Sequence, residues 1–178
     1  MKILRYPLSK KEKKKIIDEL SRSRILSINR NESIKKIVME RIIVNNGEID
    51  LILINSFPSF FKHNDRYYPT LHYIAKIISE KSINYVKETF KYIAVDEGAL
   101  KPLLRGADVM RPGIKEANNF KKDDIVIVFL IDKWIPIVVG RALIDYDSNI
   151  RKGKAIENIH RIGDKIWDFS EKMLKNRK

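Results

Sequence analysis

The sequence predicts an α+β protein in two parts: a mixed α+β unit over residues 1–90 and a β-barrel-like domain over residues 91–178. Three observations predict it. Hydrophobic residues make up 44% of the 178 positions, enough to build a core. In the first part, helix-period apolar stripes flank a block of β-branched runs. In the second, short β-rich runs such as DDIVIVFL and WIPIVVGRALI are punctuated by Gly and Pro, the pattern of a barrel or sandwich.

Ser9 is placed to cap a helix that starts at about Lys10, and Glu12 three residues on completes a capping box. Ile16, Ile17 and Leu20 share one face of that helix, which turns Lys11, Lys14 and Lys15 outward. The run KKEKKK reads as either a solvated helix face or a binding surface. From Ile34 to Ile54 the chain reads as two strands joined at Asn45-Asn46-Gly47, because Asn-Gly supplies the positive φ angles of a tight hairpin. Val38, Ile42, Ile43, Ile52 and Ile54 are β-branched, as a half-buried sheet prefers. Residues 56–69 continue extended through a turn at His63-Asn64-Asp65. The stretch PTLHYIAKIISEK is helical, with Pro69 in its first turn and Leu71, Ile74, Ile77 and Ile78 as the apolar stripe.

No low-complexity linker follows. KSINYVKETFKYIAV runs directly into the second part, which predicts a short or packed connection. A fragment from about residue 90 carries its own apolar strands and helix, and is expected to fold alone. Within it, Tyr92–Val95 is a strand and Glu97–Arg105 a short helix, with Asp96 as its cap and Gly106 as its stop. Leu100, Leu103 and Leu104 are expected on the buried face. Pro112-Gly113 marks a turn in which Gly takes the position needing φ > 0. Gly140 inside a strand predicts a bulge or a close backbone approach. Gly153 and Gly163 punctuate the last strands.

The net charge is +13 and the isoelectric point about 9.8. Residues 1–91 hold 19 Lys+Arg against 10 Asp+Glu, and residues 92–178 hold 17 against 13. Such an excess favours a polyanionic partner, nucleic acid first and an anionic membrane surface second. A Lys-rich solvated surface is the plain alternative. There is no cysteine, which excludes disulfides and thiolate zinc sites and points to the cytoplasm. The start MKILRYPLSKKEKKK lacks the apolar core of a secretory signal, and no apolar run is long enough to span a bilayer. The chain has no glutamine and is rich in Ile, Lys and Glu, a composition shared by thermophile proteins and by AT-rich genomes.

Catalytic motifs are not visible. His63, His72 and His160 lack zinc-site spacing, and neither a phosphate-binding Gly-rich loop nor a nucleophile elbow occurs. Asp123-Asp124 belong to a turn. The expectation is therefore no enzyme, no cofactor and no metal. Ingredients for RNA binding are present. Lys101 and Arg105 are four apart and share one helix face. Arg111 precedes the turn at Gly113, and Lys154 and Arg161 flank the strand KAIENIH. Gly98 and Gly106 carry no side chain and let a nucleic-acid backbone approach.

The segments VDEGALKPLLRGADVMRPGI and GKAIENIHRIGDKIW resemble the PUA domain, an RNA-binding pseudo-barrel, and in particular the PUA domains of the malignant-T-cell-amplified-sequence proteins and ligatin. In the first part, DRYYPTLHYIAK resembles the pre-PUA region of the same group, an aromatic followed by Tyr-Pro-Thr-Leu. The resemblance implies an α+β pre-PUA domain at 1–90 followed by a PUA domain at 91–178, in an archaeal member of the family. It implies an RNA-binding protein of the translation apparatus that contacts tRNA or small-subunit rRNA. Its expected partners are the small ribosomal subunit and a translation-factor protein, as density-regulated protein stands beside eukaryotic relatives. Closure of the barrel as in the family would bring Lys101, Arg105, Arg111, Lys154 and Arg161 together beside the helix. Two other readings stand: an RNA-targeting subunit of a tRNA or rRNA modification complex, and a protein-interaction scaffold whose charge is incidental.

Overall fold

The computed structural model describes residues 2–22, 37–147, 149 and 152–176. The first part is a five-stranded antiparallel sheet in simple up-and-down order, β1 (Ile3–Pro7), β2 (Met39–Val44), β3 (Ile49–Ile54), β4 (Phe57–His63) and β5 (Arg66–Pro69). α1 (Lys10–Arg22) follows β1 and forms as its sequence predicts. The Ser9 N–H donates to Glu12 Oε2 at 2.8 Å and the Glu12 N–H to Ser9 Oγ at 3.3 Å, which is the reciprocal capping box. Ile16, Ile17 and Leu20 are buried, while Lys11, Lys14 and Lys15 face solvent.

Left-handed turn residues set the strand pairing. Asn45, Asn46 and Gly47 have φ of 47°, 58° and 110°, in a loop that leaves Val44 opposite Ile49. Asn64 and Asp65 (46° and 60°) close β4 onto β5 with two residues, the primed turn whose twist matches that of the flanking strands. Pro69 does not open the next helix. It is the last residue of β5, opposite Phe60, on an edge strand where a missing N–H is tolerated. The cap is Thr70, whose Oγ1 accepts the Tyr73 N–H at 3.0 Å and donates to the Pro58 carbonyl at 2.8 Å. α2 (Leu71–Glu80) and α3 (Ile83–Thr89) then lead to the second sheet.

That sheet has six strands in the order β7-β11-β10-β9-β6-β8, where β6 is Lys91–Val95, β7 Val109–Met110, β8 Ile114–Ala117, β9 Ile125–Leu130, β10 Ile135–Ala142 and β11 Lys154–Arg161. β6 runs parallel to β9 and every other pair is antiparallel. β7 and β8 are its two edges, yet only Arg111–Gly113 separates them. So short a link spans on the order of 14 Å, and the sheet must curl until its edges approach. A sheet curled in this way is the pseudo-barrel that the resemblance leads one to expect. Gly140 shows both expected features: the register shifts beside it, and a Cβ there would lie 2.4 Å from the Glu157 carbonyl oxygen. Gly113 departs from expectation. Arg111–Gly113 forms a 3₁₀ turn, which needs only right-handed backbone, and Gly113 is not among the left-handed glycines.

All six residues of β9 are buried, and their two faces enter two different cores. Val126, Val128 and Leu130 join Ile93, Val95, Leu103 and Ile156 inside the curl. Ile125, Ile127 and Phe129, with Tyr92, Ala94 and Val139, pack into one cluster with Leu51, Phe60, Ile74 and Val86 from the first part. An unbroken apolar strand is what a sheet covered on both faces requires. The junction is therefore packed. It is also latched by hydrogen bonds: the Leu71 N–H, at the start of α2, donates to His160 Nε2 on β11 at 3.2 Å, and Arg66 donates to the Asp123 carbonyl. α5 (Lys165–Lys175) closes the chain's described part against α2, β4 and β11. Among the described residues no helix is long and apolar enough to cross a membrane.

Candidate nucleic-acid interface

α4 (Glu97–Leu104) packs against β6, β10 and β11. Asp96 occupies its N-cap position. Lys115 Nζ on β8 holds its carboxylate at 2.9 Å and lowers its pKa most, and the Ala99 and Gly98 N–H groups at the start of the helix lower it further. Leu103 is buried and Leu100 half-buried, three apart on the inner face, whereas Leu104 lies about 100° further round and is exposed, against expectation.

The helix ends in a Schellman arrangement. Gly106, at φ +96°, donates its N–H to the Leu103 carbonyl at 3.0 Å, and Ala107 donates to Pro102 at 3.1 Å. β11 supplies the remaining partners. Asn158 Nδ2 donates to the carbonyls of Leu103 and Ala107, both at 2.9 Å, and Arg161 Nε donates to Leu104 at 3.0 Å. The Arg161 guanidinium thereby lies across Gly106, where a Cβ would come within 3.3 Å of its Cζ. Lys101 and Arg105 stand exposed on the same end of α4, and among the described residues neither has an ion-pair partner. The C-terminal end of a helix dipole favours such cations.

The structure thus gathers four of the expected residues, Lys101, Arg105, Gly106 and Arg161. The other four lie apart. Lys154 begins β11, at the strand's opposite end, and pairs with Asp108 at 2.9 Å. Burial pushes the Asp108 carboxyl up, but the Lys154 ammonium and the Asn158 N–H outweigh it and hold the pKa below the usual value. Arg111 is only 7% exposed, its guanidinium 5.2 Å from the Tyr146 ring centroid, so it faces the protein rather than an open surface. Gly113 follows it in open space. Gly98 sits in the first turn of α4, at the far end from Gly106, and a Cβ there would meet Asp96 Oδ1 at 3.2 Å.

Sequence reasoning missed Asn158 and Asp108, which tie the loop after α4 to β11. A signal existed: asparagine is depleted in strands, so one inside KAIENIH asks for a partner. The histidines have structural partners. His160 Nδ1 meets Asp164 at 2.7 Å, and His72 meets Glu171 at 2.8 Å and stacks on Trp167 with centroids 4.2 Å apart. Among the described residues no group of His, Asp or Glu is placed to hold a metal.

Comparison with known proteins finds two matched stretches. Residues 4–77 match the family described as Domain of unknown function (DUF1947), and residues 91–165 match the family described as elF2D, PUA domain. An uncharacterised protein of the archaeon Methanocaldococcus jannaschii is 39% identical over 168 residues, covering 93% of this chain and 96% of that protein. Translation machinery-associated protein 20 of Eremothecium gossypii is 31% identical over 139 residues, covering 73% of this chain and 72% of the relative. The crystal structure of a hypothetical protein from Pyrococcus horikoshii OT3 superposes with a TM-score of 0.80 at 32% identity, over 94% of this chain and 99% of the other.

Proposed function

The chain belongs to the family of the translation machinery-associated protein 20 and malignant T-cell-amplified sequence proteins, and from that premise we propose a non-enzymatic, cytoplasmic RNA-binding protein that contacts tRNA or small-subunit rRNA through its PUA domain. The observation that carries this reading is the cation group at the end of α4. Lys101 and Arg105 share one helix face and, among the described residues, are not neutralised by a carboxylate. Arg161 is oriented by its bond to Leu104, so its terminal nitrogens lie over Gly106, where no side chain intervenes. A planar guanidinium presented this way can grip a phosphate with two parallel hydrogen bonds. Backbone phosphates are the part of RNA that sets affinity and orientation, and cations on a rigid element suit them. The small ribosomal subunit and a translation-factor protein are the partners that this reading names.

The test is binding of a fluorescently labelled bulk tRNA at 50 to 200 mM KCl, beside co-sedimentation with small ribosomal subunits. Affinity should fall steeply with salt, because each neutralised phosphate releases counterions. No binding to either, or binding that ignores salt, overturns the reading.

A further inference from the structure

We propose that the outer face of α1, continued across the β4–β5 turn, is a second contact surface for an RNA phosphate backbone. The proposal rests on the RNA-binding reading above and extends it from the PUA domain to the first part of the chain. Lys10, Lys11, Lys14 and Lys15 are all exposed, at positions that place them side by side over two turns of helix. Among the described residues none of them has an ion-pair partner, although Arg5, Arg41, Lys62, Lys76 and Lys87 in the same part of the chain all do. The acids of the helix are engaged elsewhere. Glu12 is held in the Ser9 capping box, and Glu19 accepts the Tyr67 N–H at 3.3 Å. Only Asp18 faces out with the lysines.

This arrangement works against the helix that carries it. Like charges four apart repel, and cations in the first turns oppose the positive end of the helix dipole. A sequence that breaks a local rule in this way points to a requirement outside the fold, and a polyanion removes both conflicts. The surface also continues toward the second part of the chain. Lys15 is near enough to Asp65, in the β4–β5 turn, to help lower its pKa after Lys62. Arg66, which follows that turn at the start of β5, reaches the Asp123 carbonyl, beside the exposed Lys122 and beside Lys121, which pairs with Asp145 at 3.2 Å. The large exposed apolar side chains, Ile3, Leu4, Val38, Leu104, Met110 and Ile135, are all outside α1. A membrane-binding helix needs such anchors, whereas a phosphate backbone does not.

The experiment compares two charge reversals of equal size in the full chain, Lys11→Glu/Lys15→Glu on α1 and Lys172→Glu/Lys175→Glu on α5, with labelled bulk tRNA as the probe. The α1 pair should weaken binding about tenfold or more near 0.1 M KCl and reduce the salt slope by about two phosphates. The α5 pair should cost no more than about threefold, the effect of net charge alone. Lys11→Arg/Lys15→Arg should bind like the parent. Circular dichroism of each variant confirms an intact helix. An α1 pair that binds tRNA like the parent, or no worse than the α5 pair, overturns the proposal. So does loss of binding to anionic lipid vesicles with tRNA binding intact. A parent that binds no tRNA ends the RNA reading itself, whereas a parent weakened by Lys101→Glu/Arg105→Glu but not by the α1 pair ends only this extension.

Discussion

Arg161 and Gly106 explain one another at the scale of single residues. The glycine is required twice, by its left-handed φ of +96° and by the guanidinium that covers it. Gly106→Val should therefore destabilise the protein by roughly 1 kcal/mol or more, read from the shift of the unfolding midpoint. Gly98 is different. Its backbone is helical, and an added Cβ would touch only the movable end of the Asp96 side chain. Gly98→Ala should leave the melting temperature unchanged or raise it, and will lower tRNA affinity only if Gly98 admits the RNA backbone. Lys101→Glu/Arg105→Glu should weaken tRNA binding without moving the melting temperature, since exposed unpaired charges contribute little to stability. Asn158→Ala removes the donor to two carbonyls at the end of α4, and should cost on the order of 1 to 3 kcal/mol.

At the scale of elements, the joint between α2, β11 and α5 is the most polar part of the interior. Asp164 caps α5 by accepting the Trp167 N–H at 2.8 Å, and its other oxygen accepts from the Arg161 N–H and His160 Nδ1. With its Nδ1 donating, His160 is free to accept the Leu71 N–H at Nε2, so one imidazole ties the start of α2 to the cap of α5. His72 on α2 faces Glu171 on α5. Burial depresses its pKa, and the Glu171 carboxylate offsets this only in part. A folded-state pKa below the unfolded value of about 6.5 means that the unfolded chain binds the proton more tightly. The stability that His72 contributes is present above pH 6.5 and is lost as the pH falls through the depressed pKa. Thermal unfolding should show declining stability from pH 7 to pH 5.5, and His72→Gln should flatten that decline. An unchanged pH profile in the variant would remove His72 from the account.

For the whole molecule, the packed junction predicts how the chain comes apart. A fragment beginning at residue 91 keeps the core inside the curled sheet, but it uncovers Tyr92, Ala94, Ile127, Phe129 and Val139. We expect that fragment to melt about 10 °C or more below the full chain, and to bind an apolar dye that the full chain does not. The full chain should unfold in a single calorimetric transition. Two well-separated transitions would show that the shared core does not couple the sheets.

Local pattern was enough for what neighbours in sequence decide. The capping box at Ser9, the Asn-Asp turn at Asn64-Asp65, the Gly106 stop and the Gly140 irregularity each depend on a few adjacent residues, and each was legible. The unbroken apolar run of β9 even carried the information that both of its faces are covered, though not by what. Residues distant in sequence decided the rest. Lys115, distant in sequence, shares the Asp96 carboxylate with the start of α4, and Arg111 turned inward onto Tyr146. Thr70 displaced Pro69 as the helix start because the Pro58 carbonyl and the edge of β5 were both at hand. The binding residues were predicted as eight, and the fold assembled four of them: the eight-residue span of β11 carries Lys154 and Arg161 to opposite ends of the strand, Gly98 lies at the far end of α4, and Arg111 is buried beside Gly113. Composition and short-range spacing determine which residue types this protein has for binding a polyanion. Only the tertiary structure decides which of their charges are already neutralised by a carboxylate, and which are left to face solvent.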